Sequence, residues 1–391
     1  MSYVISLCKV GASIYDICLK GDAFIADALT KVYTKQKFIK GIAFPTSISL
    51  NEVCGHFSAL TEESGDAHEY KVLAEGDIAK IDLGVHIDGF AGVVAHTIVV
   101  SEKSEPVSGK TADAILAAYN AVHAAIRVMY PGKNNNYDVT NTIKAVCDSY
   151  KVTPVEGVLS HRMKRDIIDG VETIINHATF DQKVDQRTFE HGDVFGLDVL
   201  VSTGEGKPRE TTIKTSIYKR AVETTYKLKT ESGRKLLSVV EQNFHTFPFS
   251  FNVFDNEENL KLKSNIQNLK TTMKLGLVEC VKNELLHPYP VLTEKKGDVV
   301  AQFKYTIAIR NEGPLIICGN TMDLAKYKTE NKIADEAVLK QLEVPLDTFL
   351  PNSKKSVKKD KKKNNKEKKK KKKESKARKV EEAKKKREDE K

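Results

Sequence analysis

The stretch from Lys80 to Val100, KIDLGVHIDGFAGVVAHTIVV, constrains the fold more than any other part of the chain. Apolar residues alternate with polar or small ones on the way in, through Ile78, Lys80, Ile81, Asp82 and Leu83. Asp88-Gly89 then supplies a tight turn, because Asp and Gly tolerate the positive φ that hairpin loops demand. The return strand, residues 90–100, is almost wholly apolar, which predicts burial on both faces. Asp82 is thus expected on a strand deep in a sheet, where a carboxylate needs a metal, a cation or a proton. No Asp or Glu lies between Gly89 and Val100 to share a metal with it.

A chain of 391 residues holds one large or two ordinary domains. Its six cysteines, Cys8, Cys18, Cys54, Cys147, Cys280 and Cys318, form no CxxC pair, which points to reduced thiols in a cytosolic or nuclear compartment. The longest apolar runs are only strand-length and the first residues show no signal-peptide core, so no membrane insertion is expected. Charge is unevenly placed. Of 63 Lys+Arg and 53 Asp+Glu, 22 and 8 lie in residues 353–391, a net +14. That leaves 41 and 45, a net −4, for residues 1–352. The body is mildly acidic, and the excess of positive charge belongs to the tail.

Taken in order, residues 13–33 carry apolar positions at helical spacing, with Gly21 expected to split them into two helices. KGIAFPTSISL (40–50) reads as a strand in which Pro45 marks an edge or bulge, and His56 follows in a short loop. Residues 62–70 read as polar connection. Residues 111–129 form an amphipathic helix stopped by Pro131-Gly132, and 137–150 form another. A strand over 155–160 ends before His161, and HGDVFGLDVLVST (191–203) is a second. GDIAKID at 76–82 and GDVFGLD at 192–198 repeat one device: a Gly-Asp start, an apolar strand and an inward carboxylate. A third Gly-Asp, at 297–298, opens VVAQFKYTIAI. Two similar α/β halves facing across a shared site follow from that repetition. Residues 217–285 change to Lys-, Asn- and Glu-rich helices, including 234–244 and 260–286, as expected of an insertion between sheet strands. From residue 352 onward no hydrophobic period exists, and the Lys tract is expected to be disordered.

Gly109-Lys110-Thr111 resembles the end of a phosphate loop, but residue 104 is Ser where that motif needs Gly, so a helix start is the better reading. The glycine-rich 202–207 reads as a hairpin connection. The constellation with chemistry in it is His56, Asp82, His161 and Asp198, each in or beside a strand. Together they could hold a divalent ion, or each could be a hydrogen-bonded structural group.

GIAFPTSISLN, HFSA, KIDLGVHIDGF, VEGVLSH, LDVLVSTGEGK, HPYPVL and VAQFKYTI resemble the proliferation-associated (ErbB receptor-binding) proteins over residues 6–327. That family is related to the type 2 methionine aminopeptidases and implies an α/β pita-bread fold. The aminopeptidases hold two metals with five side chains, Asp, Asp, His, Glu and Glu. Here the resemblance places Asp82, Val93, His161, Asp198 and Lys304 at those positions. It places His56 at a substrate-contacting histidine, and Phe44 and Tyr289 at pocket-lining positions. Val93 offers no oxygen, and an ammonium about 4 Å from a divalent ion is repelled by about 8 kcal/mol at an effective dielectric near 20. A vestigial pocket without cofactor or metal is expected, with Lys304 standing where a metal stood and pairing with Asp82, Asp198 or both. Two departures accompany the resemblance. Members begin with a further N-terminal helical segment ahead of MSYVISLC, so either the gene model is short or one face is uncovered. The insertion is also longer, around 259–274.

The expected organisation is a pita-bread domain over 1–350, with a helical insertion at about 220–285, and a disordered tail over 353–391. The resemblance implies a non-catalytic protein of the cytoplasm, nucleus and nucleolus, associated with ribosomal RNA and the large ribosomal subunit. Other RNAs, and protein partners through the insertion, are further expectations. Lys361, Lys362, Lys363, Lys368, Lys369, Lys370, Lys371, Lys372 and Lys373 are the candidate polyanion contacts. An active metal-dependent methionine aminopeptidase and a nuclear transcription or chromatin adaptor are the alternatives.

Overall fold

A computed structural model describes residues 1–60, 70–255, 260 and 266–349. Most of the polar connection at 62–70, the middle of the lengthened insertion and the whole Lys tail lie outside the described residues. The chain divides into two compact units, Met1–Leu346 and Asp347–Lys391.

The chain opens with α1 (Ser2–Leu7) and α2 (Ile14–Thr30), then runs through β1 (Lys40–Leu50), β2 (Ile78–Ile87) and β3 (Phe90–Val99). The central hairpin turns at Asp88 and Gly89, with φ of 54° and 83°, as its sequence predicts. Next come α3 (Gly109–Val128) and α4 (Asn136–Tyr150), both where helical spacing placed them. The strand expected over 155–160 is two short pieces, β4 (Thr153–Pro154) and β5 (Leu159–Arg162), because Gly157 turns the chain at φ 76°. His161 therefore lies inside a strand, not after one. β6 (Thr173–Ile175) and β7 (Val194–Ser202) complete that region. The glycine-rich 202–207 is no hairpin: it leads to β8 (Arg209–Glu210), which pairs with β12 (Leu292–Thr293).

The insertion is not purely helical. Besides α5 (Glu231–Asn243) and α6 (Leu269–Lys282) it holds a small sheet of β9 (Ile217–Arg220), β10 (Phe249–Ser250) and β11 (Leu286–Pro288). It has its own core, in which Leu236, Val240, Phe254 and Met273 meet. β13 (Val300–Arg310), β14 (Gly313–Cys318) and α7 (Glu336–Glu343) follow.

The main sheet runs β1-β2-β3-β13-β7-β5-β6, so the first hairpin is zipped to the last long strand and not to its neighbour in sequence. β1 is at the edge, and its register shifts on both sides of Phe44, beside Pro45. The three Gly-Asp starts are one turn used three times. Gly76, Gly192 and Gly297 have φ of 88°, 93° and 92°, and the N–H of Asp77, Asp193 and Asp298 donates three residues back to Ala74, Glu190 and Lys295. Only Gly adopts that φ without strain at this place in a turn. Odd-numbered residues of β2, among them Ala79, Ile81 and Leu83, join Ile14, Ile17 and Ile25 of α2 in the outer core. α3, with a run of fully buried alanines, covers β13 and β7. The inner face is left for polar groups.

Candidate functional site

Alternation in the strands carries Lys80, Asp82, Gly84 and His86 to the inner face. Register then lines up one lateral row across five strands. Ser47 pairs with Asp82, Asp82 with Ala95, Ala95 with Lys304 and Lys304 with Asp198. Adjacent strands lie about 4.8 Å apart, so Lys304 and Asp82 are two strand spacings from each other. The lysine stem crosses that gap because the residue between them is Ala95, wholly buried and too small to obstruct it. Its Nζ reaches Asp82 Oδ2 at 2.5 Å and Asp198 Oδ2 at 2.9 Å, and sits 5.5 Å from the centre of the Phe44 ring. Asp198 also accepts from Gln302 Nε2, at 2.9 and 3.1 Å.

A second row lies two residues along. Phe44 pairs with Gly84, Gly84 with Val93, and Gly196 with both Thr306 and His161. Val93 fills the slot between two glycines: a Cβ on Gly84 would stand 2.9 Å from one of its methyls, and one on Gly196 3.1 Å from the other. Its backbone is bound to the Thr306 hydroxyl, which donates to the Val93 carbonyl and accepts from its N–H.

These rows form the floor of a cavity of ≈ 270 Å³ whose walls include Phe44, His56, Val93, His161, Asp198, Tyr289 and Lys304. Asp82 is buried behind Lys304 and is not part of the cavity wall. Phe44, His56 and Tyr289 form an aromatic cluster, with centroids 5.1 to 5.8 Å apart. His56 Nδ1 donates to the Pro290 carbonyl at 3.4 Å, and His161 Nδ1 to the Gly170 carbonyl at 2.9 Å. Burial first, then the Lys304 ammonium, lower the His56 pKa to about 4, so its ring is neutral at physiological pH.

Electrostatics here is decided by the lysine. Burial works against the Lys304 charge, but Asp198 and Asp82 outweigh it and raise its pKa above the ordinary lysine value. Asp82 is pushed up to about 6 by burial, with Lys304 opposing and Asp198 adding to the rise. The triad of one ammonium and two carboxylates keeps its central proton throughout the physiological range.

The donor set does not fit two divalent ions. Val93 supplies a hydrocarbon, Lys304 brings a positive charge within hydrogen-bond distance of both aspartates, and no group of three or more His, Cys, Asp or Glu side chains among the described residues could hold a metal ion. Several lining residues were missed from sequence, Gln302 and Asp169 among them. Gln302 sits two residues before Lys304 on one strand, so alternation alone would have placed it in the site. Asp169, paired with Lys219 at 2.6 Å, comes from a loop that carries no periodic signal.

Comparison with known proteins identifies the family of the chain. The family model of metallopeptidase family M24 matches residues 1–219. Proliferation-associated protein A of Dictyostelium discoideum is 39% identical over 361 residues, covering 92% of this chain and 87% of that protein. The Curved DNA-binding protein of Schizosaccharomyces pombe is 42% identical over 358 residues, covering 91% and 88%. The structure of a thermophilic Arx1 superposes with a TM-score of 0.78 at 30% identity, over 88% of this chain and 94% of that one. Matching over more than half its length, the chain belongs to metallopeptidase family M24, with the pita-bread fold and a strong kinship to the proliferation-associated proteins.

Proposed function

We propose that this protein is a non-catalytic, RNA- and ribosome-associated binding protein on an aminopeptidase scaffold. It acts in ribosome biogenesis or translation and growth regulation, in the cytoplasm and the nucleus or nucleolus. The observation that carries the non-catalytic half is the Lys304 ammonium against Asp82 and Asp198. Two-metal hydrolysis needs bridging carboxylates that hold two ions about 3.5–4 Å apart, with Asp82 and Asp198 free to serve as further ligands. A lysine already satisfies them.

The nucleic-acid half is supported by the similarity to a protein named for binding curved DNA, and by the +14 of residues 353–391, which favours polyanions through counterion release. The same DNA-binding relative favours the nuclear adaptor as a second reading, which preferential retention on duplex DNA over ribosomes would reveal. The enzyme half is tested by incubating the purified chain with Met-initiated peptides and added cobalt or manganese. No methionine should be released, and turnover abolished by chelator overturns the reading. The ribosome half is tested by fractionating lysate at two salt concentrations. The protein should travel with large subunits at low salt, and its absence from them at both concentrations sinks that half.

A further inference from the structure

All of residues 31–39, KVYTKQKFI, between α2 and β1, are exposed. Tyr33 is 54% and Phe38 39% exposed, and their rings meet edge-to-face with centroids 5.6 Å apart. The Asp88 N–H donates to the Ile39 carbonyl at 2.6 Å, which sets the tip of the β2–β3 hairpin against this loop, and Phe90, which follows the turn, is 63% exposed. Lys31, Lys35, Lys37 and Lys40 stand in the same span, and no Asp or Glu occurs between Asp27 and Glu52. Lys31 is paired with Asp27 and Lys40 donates to the Val32 carbonyl, whereas Lys35 and Lys37 have no ion pair among the described residues.

Aromatic faces left in water among unpaired cations suit a partner that carries phosphates and unstacked bases together. We infer that this loop and the adjoining hairpin tip form a platform for single-stranded RNA, Tyr33 and Phe38 stacking bases while Lys35 and Lys37 hold phosphates. The inference rests on the RNA-associated reading above and gives it a place on the folded body. Duplex RNA is a poor occupant because its bases are already stacked on one another. The chain's own tail, at +14, is repelled by the lysines. Because residues 1–352 carry a net −4, the acid-free basic span 28–51 is what directs a polyanion to this edge of the body, the one carboxylate at the adjoining tip, Asp88, being paired with Arg165 at 3.0 Å.

Binding of a labelled, unstructured 12-nucleotide RNA to the full chain, followed by anisotropy at two or more salt concentrations, tests the platform. Y33A/F38A should weaken affinity about tenfold or more, with the salt dependence unchanged. K35Q/K37Q should lower the slope of log K against log salt by about 1.4, two phosphates' worth for a single strand. Both variants should bind a duplex of equal length as the parent does. With 4-thiouridine in the strand, crosslinks should map to the peptide holding Tyr33 and Phe38. If the parent binds the strand and Y33A/F38A binds it within twofold, the platform is wrong while the RNA reading stands. If the parent binds no RNA at low salt, the RNA reading itself fails and takes the platform with it. Loss of binding to phosphatidylserine vesicles, and not to RNA, in Y33A/F38A would make a membrane the partner and overturn the proposal.

Discussion

Two lysines stand on the inner face of the sheet, Lys80 on β2 and Lys304 on β13, and desolvation acts on them with opposite results. Lys80, 1% exposed, donates to the Asn51 carbonyl at 2.8 Å, and burial pushes its pKa down to about 7. Lys304 meets the same desolvation but has Asp198 and Asp82 in contact, and its pKa rises. The difference is the partner, and it yields a prediction. Lys304→Met leaves the buried Asp82 and the half-buried Asp198 unbalanced and should cost about 3–5 kcal/mol, whereas Lys80→Met should change stability by under about 1 kcal/mol. The pH dependence has a definite sign. Asp82 titrates higher folded than unfolded, so its contribution is full below the ordinary carboxylate value and is lost as pH rises through about 6. Without Lys304 that window moves upward, so the deficit of Lys304→Met should be largest near pH 7.5 and shrink toward pH 5. Urea unfolding at both pH values measures it. An undiminished midpoint at pH 7.5 would mean that the triad contributes nothing.

At the scale of elements, α2 shows what a linear reading misses. Gly21 looks like a helix breaker, yet α2 runs unbroken from Ile14 to Thr30. Gly21 is there because β1 passes close by: a Cβ would stand 2.7 Å from the Thr46 hydroxyl oxygen. Asp22, on the same turn, accepts the Thr46 N–H at 2.8 Å, next to the register shift at Pro45. Helix propensity alone favours Gly21→Ala by about 0.5–1 kcal/mol. The contact with Thr46 should instead make it destabilising, by about 1–3 kcal/mol in a thermal or urea melt. The hairpin, the edge position of β1, the inward carboxylates and the repeated Gly-Asp turns were legible because each rests on local chemistry or on period-2 alternation. The small sheet of the insertion was not, since strands of two to four residues have no period to read. The close approach of helix to strand at Gly21 and the place of Asp169 depend on tertiary neighbours that no sequence window contains.

For the whole molecule, charge is divided between a body at −4 and a tail at +14. Removing residues 353–391 should weaken RNA binding and flatten its salt dependence, by about 0.7–0.9 in slope for each phosphate that the tail neutralises. Unchanged affinity and slope in a filter-binding or anisotropy titration would reduce the tail to an address signal. The Lys304–Asp82 contact has a different reach, joining residues 222 positions apart in sequence. Closing so long a loop is entropically expensive, and the bond can form only after the strands between them are laid down. It is expected to form late in folding, after the strands that carry it have paired. A contact absent from the transition state governs how fast the native state comes apart and hardly touches how fast it assembles. The lysine on the cavity floor should therefore act on the lifetime of the folded body, as a latch between the first hairpin and the final long strand: Lys304→Met should speed unfolding in a stopped-flow experiment and leave the refolding rate near the parent's.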